Sequence, residues 1–210
     1  MAAATSRSAS AAILGARDRA ILRRASRIIG VDEVGRGSIA GPVVVCAAAF
    51  GTIPRSDRIA DSKLLSKAKR ETAAVWLRQQ TSSWVITEVW PEIIDRVNIL
   101  EATRLAMAAS IRILATPESE AVVDYVTVEN VGIPVHSPQG ADRDFFSVAA
   151  ASILAKVHRD RVMMDLGRRD DRWDWFHNMG YGTEKHRVGI GRYGRSYLHR
   201  QSFRLLPVLP

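Results

Sequence analysis

The sequence holds one cysteine, Cys46, in 210 residues. That excludes an internal disulfide framework and any multi-cysteine zinc site. Cys46 lies in the apolar run Pro42–Phe50 and reads as a small buried hydrophobe, not a reactive thiol. No apolar run approaches the roughly 18–20 residues needed to span a bilayer. The five histidines make no metal-binding pattern, and His-Glu-x-x-His is absent. Without a Gly-Lys-Ser/Thr phosphate loop, nucleoside-triphosphate chemistry of that kind has no support. What is present is 47% hydrophobic and 25% charged residues, a globular composition in a chain of single-domain size. A soluble protein of a reducing compartment, the cytoplasm, is expected, with no membrane partner.

Acids are scarce at the N-terminus. Residues 1–27 carry six arginines against Asp18 alone, so +5. Residues 28–150 hold 12 basic and 15 acidic groups, so −3; residues 151–210 hold 12 and 6, so +6. An acid-bearing middle beside a basic C-terminal part suits a protein that holds metal with carboxylates and phosphates with arginine. An Arg-rich solvated surface would show the same totals. The Ala/Ser/Arg-rich residues 1–27 read as a disordered basic arm, a transit peptide or the product of a start codon placed too far upstream. Residues 28–210 are expected to form one folded domain with a helical C-terminal part.

Ile28–Val34 and Pro42–Phe50 read as buried strands, bounded by Gly or Pro. Ser66–Gln80 reads as a helix and Trp84–Trp90 as a third strand. A helical stretch runs from Pro91 to about Leu114. Ala121–Val128 is expected as a fourth strand and Val131–His136 as a short fifth. A long helix is expected from Asp142 to about Leu166, a loop at Gly180–Thr183, and helix again over Glu184–Ile190. Early strands, then strands alternating with helices, predict an α/β fold with a mixed sheet and helices on its faces.

The strongest local feature is Asp32-Glu33-Val34-Gly35-Arg36-Gly37. Two adjacent acids near the end of an apolar strand are costly unless paired or metal-bound. On a regular strand they point to opposite faces; a bend, which Gly35 permits, would let them converge. Asp124 is expected inside the fourth strand, on one face with Val122 and Val126, an odd place for a charge. Glu129 and Asp142 are further candidates. Singly, Asp142 reads as a helix cap, Glu129 as a solvated strand end, and Asp124 as either a ligand or a tolerated strand charge. A carboxylate-only site suits Mg²⁺ or Mn²⁺ rather than zinc.

Several blocks together resemble one family. They are Ile29–Gly37 followed by Ala40-Gly41-Pro42-Val43-Val44, then Asp61-Ser62-Lys63, then Ile94–Leu100 with Ala102-Thr103. Ala150–Val157 with Arg159-Asp160-Arg161, Gly180-Tyr181-Gly182-Thr183 and His199-Arg200-Gln201-Ser202-Phe203 complete the set. Their order and spacing over about residues 28–205 resemble a type 2 ribonuclease H (ribonuclease HII). The resemblance implies a ribonuclease H-like mixed five-stranded sheet flanked by helices. It implies an endoribonuclease that uses Mg²⁺ or Mn²⁺ and leaves 3′-hydroxyl and 5′-phosphate ends. Its substrates would be the RNA strand of RNA/DNA hybrids and ribonucleotides embedded in duplex DNA. By motif position Asp32, Glu33, Asp124 and Asp142 would be the catalytic acids and metal ligands, with Glu129 the fallback for the third. Gly35, Arg36 and Gly37 would read the 2′-hydroxyl, Tyr181 would pack on the neighbouring sugar, and Lys63 would lie near phosphates. A monomer is expected; a sliding-clamp partner is left open. Twenty-seven residues are too few for the N-terminal domain of type 3 relatives.

Three positions depart from the family pattern. Tyr125 follows Asp124 where glycine is usual, and a bulky side chain there is expected to alter the backbone. A displacement of about 1 Å in a catalytic group can cost on the order of 10²-fold. Gly140-Ala141-Asp142 stands where Lys-Gly-Asp is usual, and Met179 where lysine is common, so two basic groups are missing near the expected phosphates. The alternative to the enzyme is a hybrid-binding protein with weakened or lost catalysis.

Overall fold

The structure, a computed structural model, describes residues 14–55, 59 and 65–205. Among them the order is α1 (Ala16–Ile21), β1 (Arg27–Val34), β2 (Val43–Phe50), α2 (Lys67–Gln80), β3 (Ser83–Val89), α3 (Pro91–Val97), α4 (Ile99–Leu114) and β4 (Ser119–Val123). Then come β5 (Val135–His136), α5 (Ala141–Asp144), α6 (Phe146–Arg169), α7 (Trp175–Asn178) and α8 (Glu184–Tyr193). Asp61, Ser62 and Lys63 lie outside the described residues. No helix among the described residues is long and apolar enough to cross a membrane.

The strands form one mixed sheet in the order β3-β2-β1-β4-β5. β1 pairs antiparallel with β2 and parallel with β4. Period 2 divides the core between two faces. Ile28, Cys46 and Val122 face α6 and α2, whereas Ile29, Val31, Val45 and Val123 face α4. β2 is buried along its whole length, as a central strand of β-branched and small residues should be. Gly30 lets α6 rest directly on β1: a Cβ there would come within 2.1 Å of the Ser147 carbonyl carbon.

Five expectations need correcting. Residues 14–26, read as part of a disordered arm, belong to the folded body. Leu14, Ile21 and Ala25 join the core under α6. The buried Asp18 carboxylate accepts the N–H groups of Phe146 (2.7 Å) and Ser147 (3.1 Å). It thus satisfies donors at the start of α6 that have no partner within the helix. Arginines dominate this segment because its outer side pairs with acids: Arg17 with Asp144 (3.1 Å), Arg24 with Glu120 (2.7 Å).

The helix expected over residues 91–114 is two helices, broken at Asn98, which has φ 70° and caps α4 through Glu101 N–H. The fourth strand ends at Val123, not Val128. Asp124 therefore lies beyond its end, and Val122 and Val126 bury in different core clusters. The fifth strand is only Val135–His136. The helix expected from Asp142 is interrupted at Phe145, whose backbone is extended (φ −118°, ψ 123°), so Asp142 sits on the one-turn α5.

Candidate active site

Register builds the acidic side. Val31 pairs with Val123 in parallel, so the next residues, Asp32 still inside β1 and Asp124 just past the end of β4, are neighbours. No bend brings Asp32 and Glu33 together: β1 stays paired with β2 through Val34. Both acids are instead electrostatically coupled to Asp124, which lies past the strand end. Asp32 is 8% exposed. Burial pushes its pKa up to about 8, with further pushes from Glu33 and Asp124; hydrogen bonds from Ser152 and Glu33 N–H pull the other way. Glu33 is raised as well, chiefly by burial, and opposed by Arg36, whose Nη1 lies 3.3 Å from Glu33 Oε1.

Asp124 holds the turn that carries Asp142. Its Oδ1 accepts the N–H of Ala141 at 2.8 Å, and Asp142 is 5% exposed on the next residue. Tyr125 keeps the backbone that a glycine would take there, with φ 60°. Its N–H donates to Pro138 O (3.2 Å) and Val126 N–H returns to Asp124 O (2.7 Å), so the turn is tight. The ring stays outside, 67% exposed. A non-glycine residue in this left-handed backbone carries local strain of about 1–2 kcal/mol. Glu129 is exposed and lines a separate groove with Glu101, Arg104 and Arg112.

These carboxylates fit a divalent cation in kind. All are hard oxygen donors, and Glu33 Oε2 is buried with no hydrogen-bond partner among the described residues. As they stand, no three His, Cys, Asp or Glu side chains among the described residues are close enough to hold an ion. Burial makes Asp32 and Glu33 resist ionisation, and the Glu33 and Asp124 charges add to that resistance at Asp32.

The other side of the site is the loop after β1. Gly35 has φ 92°, and a Cβ there would lie 2.1 Å from Arg159 Nε, so only glycine fits. Gly37 faces open space. The segment that follows is stitched to two later parts of the chain. Ile39 and Ala40 N–H donate to Gly180 O, at 2.9 and 3.2 Å. Arg200 N–H donates to Ile39 O and Gly41 N–H to Leu198 O, both at 2.9 Å. Tyr181 follows Gly180, is 37% exposed, and lies with its ring 5.5 Å from the Arg159 guanidinium. Asp95 of α3 secures the C-terminal turn by accepting the N–H groups of Gln201 (2.8 Å) and Ser202 (3.0 Å). Met179, where lysine is common, packs beside Met163, Trp173 and Trp175.

Two buried imidazoles support the Tyr181 turn. His186 Nδ1 faces the Tyr181 carbonyl at 2.9 Å and so carries a hydrogen. Its Nε2 then accepts, from Trp175 Nε1–H at 3.0 Å and from His199 Nε2–H at 3.1 Å. His199 Nδ1 accepts Ser196 N–H at 2.9 Å. This pattern requires both rings neutral. Burial lowers both pKa values, that of His199 to about 4 with help from His186.

Comparison with known proteins decides the family. Residues 29–206 match Ribonuclease HII. The chain belongs to the ribonuclease HII family. It is similar to the Ribonuclease HII of Chlorobium luteolum, 40% identical over 185 residues that span 85% of this chain and 89% of the relative. Among solved structures it resembles the RNase HII of the PCNA:RNase HII complex from Archaeoglobus fulgidus, with TM-score 0.73 and 27% identity. That match covers 87% of this chain and 97% of the other. It also resembles the ribonuclease H2 of Pyrococcus horikoshii OT3, with TM-score 0.71 and 25% identity, covering 84% of this chain and 93% of the other. The ribonuclease H-like α/β fold and an RNase H-type endoribonuclease activity follow from this membership.

Sequence reasoning missed Arg159, Arg200, His186 and His199 as parts of the site. Arginine defaults to the surface. The available signal was apolar neighbours four residues either side of Arg159, Ala155 and Met163, which mark a buried helix face.

Proposed function

We propose that this ribonuclease HII cleaves the RNA strand of RNA/DNA hybrids and incises at ribonucleotides embedded in duplex DNA, leaving 3′-hydroxyl and 5′-phosphate ends. The observation that supports the reading is the parallel register of β1 and β4, in which Val31 and Val123, the residues before Asp32 and Asp124, are partners. Asp32, Glu33, Asp124 and Asp142 would hold two divalent cations, or one and a second recruited with substrate. The chemistry supplied by bound Mg²⁺ or Mn²⁺ is orientation of a water for in-line attack and stabilisation of the departing 3′-oxygen. The chain's own residues do the positioning. Gly35, Arg36 and Gly37 would read the 2′-hydroxyl, the group by which RNA is told from DNA, with no side chain at Gly37 to block the approach. Tyr181 offers a ring to the adjoining sugar. Lys63 stays in the proposal on its motif alone. The basic residues after 150 grip the duplex backbone, so affinity falls steeply with salt.

The alternative, a binder with weakened catalysis, rests on Tyr125 beside Asp124 and on the two basic groups missing near the expected phosphates. Tyr125 takes a left-handed φ of 60°, open to glycine, and holds its ring outside, which supports the enzyme. The test is incubation with a duplex holding one ribonucleotide, in Mg²⁺ and in Mn²⁺ separately. Incision with an extendable 3′ end is expected; no incision under either ion defeats the proposal.

A further inference from the structure

Arg159 of α6 and Arg200, which follows α8, are buried to 0% and 1% exposure. Their hydrogen bonds among the described residues end on neutral oxygens. Arg200 donates to Gly35 O (2.7 Å), Arg36 O (2.8 Å) and Gly41 O (3.1 Å). Arg159 donates to Pro42 O (2.9 Å), Ser38 Oγ (2.8 Å), Ala40 O (3.3 Å) and Met179 O (2.8 Å). Burying two like charges together without a bonded carboxylate is expensive. Burial and its neighbour Arg159 lower Arg200 to about 9, which leaves it a cation at neutral pH.

The two guanidiniums act on the loop in different ways. In a trans peptide the C=O and N–H point in opposite directions. With the carbonyls of Gly35 and Arg36 drawn toward Arg200, the N–H groups of Arg36 and Gly37 face away from it. Arg159 touches three separate parts at once: the 38–42 segment, the Met179 carbonyl and the Tyr181 ring. It therefore spans the distance between the loop and that ring.

We propose that Arg159 and Arg200 are positioning residues for ribose recognition: Arg200 aims the loop's N–H groups at the sugar, and Arg159 sets the gap between loop and Tyr181. The inference rests on the proposed reading of that loop as the ribose sensor. Lysine at either position would keep the charge but could not hold three or four oxygens in fixed directions.

The test compares two duplexes identical except for one ribonucleotide, bound by fluorescence anisotropy with Ca²⁺ replacing Mg²⁺. Wild type binds the ribonucleotide duplex more tightly. Arg200→Lys, checked for folding by circular dichroism and melting, loses about tenfold of that preference, the worth of one charge-assisted hydrogen bond, and keeps its affinity for the all-DNA duplex. Ser38→Ala, which deletes one acceptor of Arg159 with little change in volume, loses a smaller part. If Arg200→Lys does not fold, Ser38→Ala decides on the same criterion. A folded variant that keeps the full preference, or that weakens on both duplexes equally, overturns the proposal. A wild type with no preference instead overturns the reading of the loop itself.

Discussion

At the ends of β1 and β4, acids crowd one another: Asp32 is pushed up to about 8 and one Glu33 oxygen has no partner among the described residues. On the far side of the loop, by contrast, two buried arginines and two neutral histidines are engaged by carbonyl, hydroxyl, backbone and ring partners. The acidic side is unfavourable without a counter-ion and the loop side is complete without substrate. On the proposed reading, the difference teaches that ribose recognition is built into the fold, whereas catalytic power depends on what the acids bind.

Substitutions should therefore separate activity from stability. Asp124→Asn keeps the oxygen that accepts Ala141 N–H but removes a negative charge. Incision in single turnover should fall by about 10²–10⁴-fold, while the melting temperature holds or rises. Glu129→Gln, in its separate groove, should leave the rate alone; the reverse outcome would make Glu129 the third acid. On the loop side the order inverts. Arg159→Met leaves four acceptors without their donor and should cost about 3–5 kcal/mol in urea unfolding.

A pH series gives a smaller effect confined to the loop side. The folded pKa of His199, about 4, lies below its ordinary value of 6.5. Between those values the unfolded chain takes up a proton at this ring that the native state refuses, so the His199 contribution to stability falls as pH falls from 6.5 to 4, while Asp32, raised to about 8, contributes in the opposite sense. The His199 contribution should be about 2–3 kcal/mol, read as the pH dependence of the difference in urea stability between wild type and His199→Gln, in which the Asp32 contribution cancels. Smallest is Tyr125→Gly. Relief of about 1 kcal/mol of left-handed strain is offset by the entropy of a new glycine, and incision should change by less than about threefold. A large gain would show that Tyr125 impairs Asp124 after all.

Much of this was readable from the residues. The sheet announced itself through β-branched runs such as Val43-Val44-Val45, and Asp32 and Glu33 through charges set inside an apolar strand. The end of β4 was misread because Val126 and Val128 continue the apolar alternation, although they bury only after the chain has turned at Tyr125. Tyrosine carries no turn signal; glycine would have. The N-terminal segment was misread because composition reports the outward arginines and not Asp18, whose partners are 128 and 129 positions away. The buried arginines stood inside recognised blocks, but no local pattern says that a guanidinium will serve backbone carbonyls from distant turns.

The central claim is that Asp32 and its neighbours form a cation site next to a preformed ribose sensor. Calorimetric titration of the folded protein with Mn²⁺ tests it most directly. Wild type should bind, and Asp32→Asn should bind far more weakly at unchanged or higher melting temperature. Equal binding by both proteins, or none by wild type in the presence of a ribonucleotide-containing duplex, would contradict it.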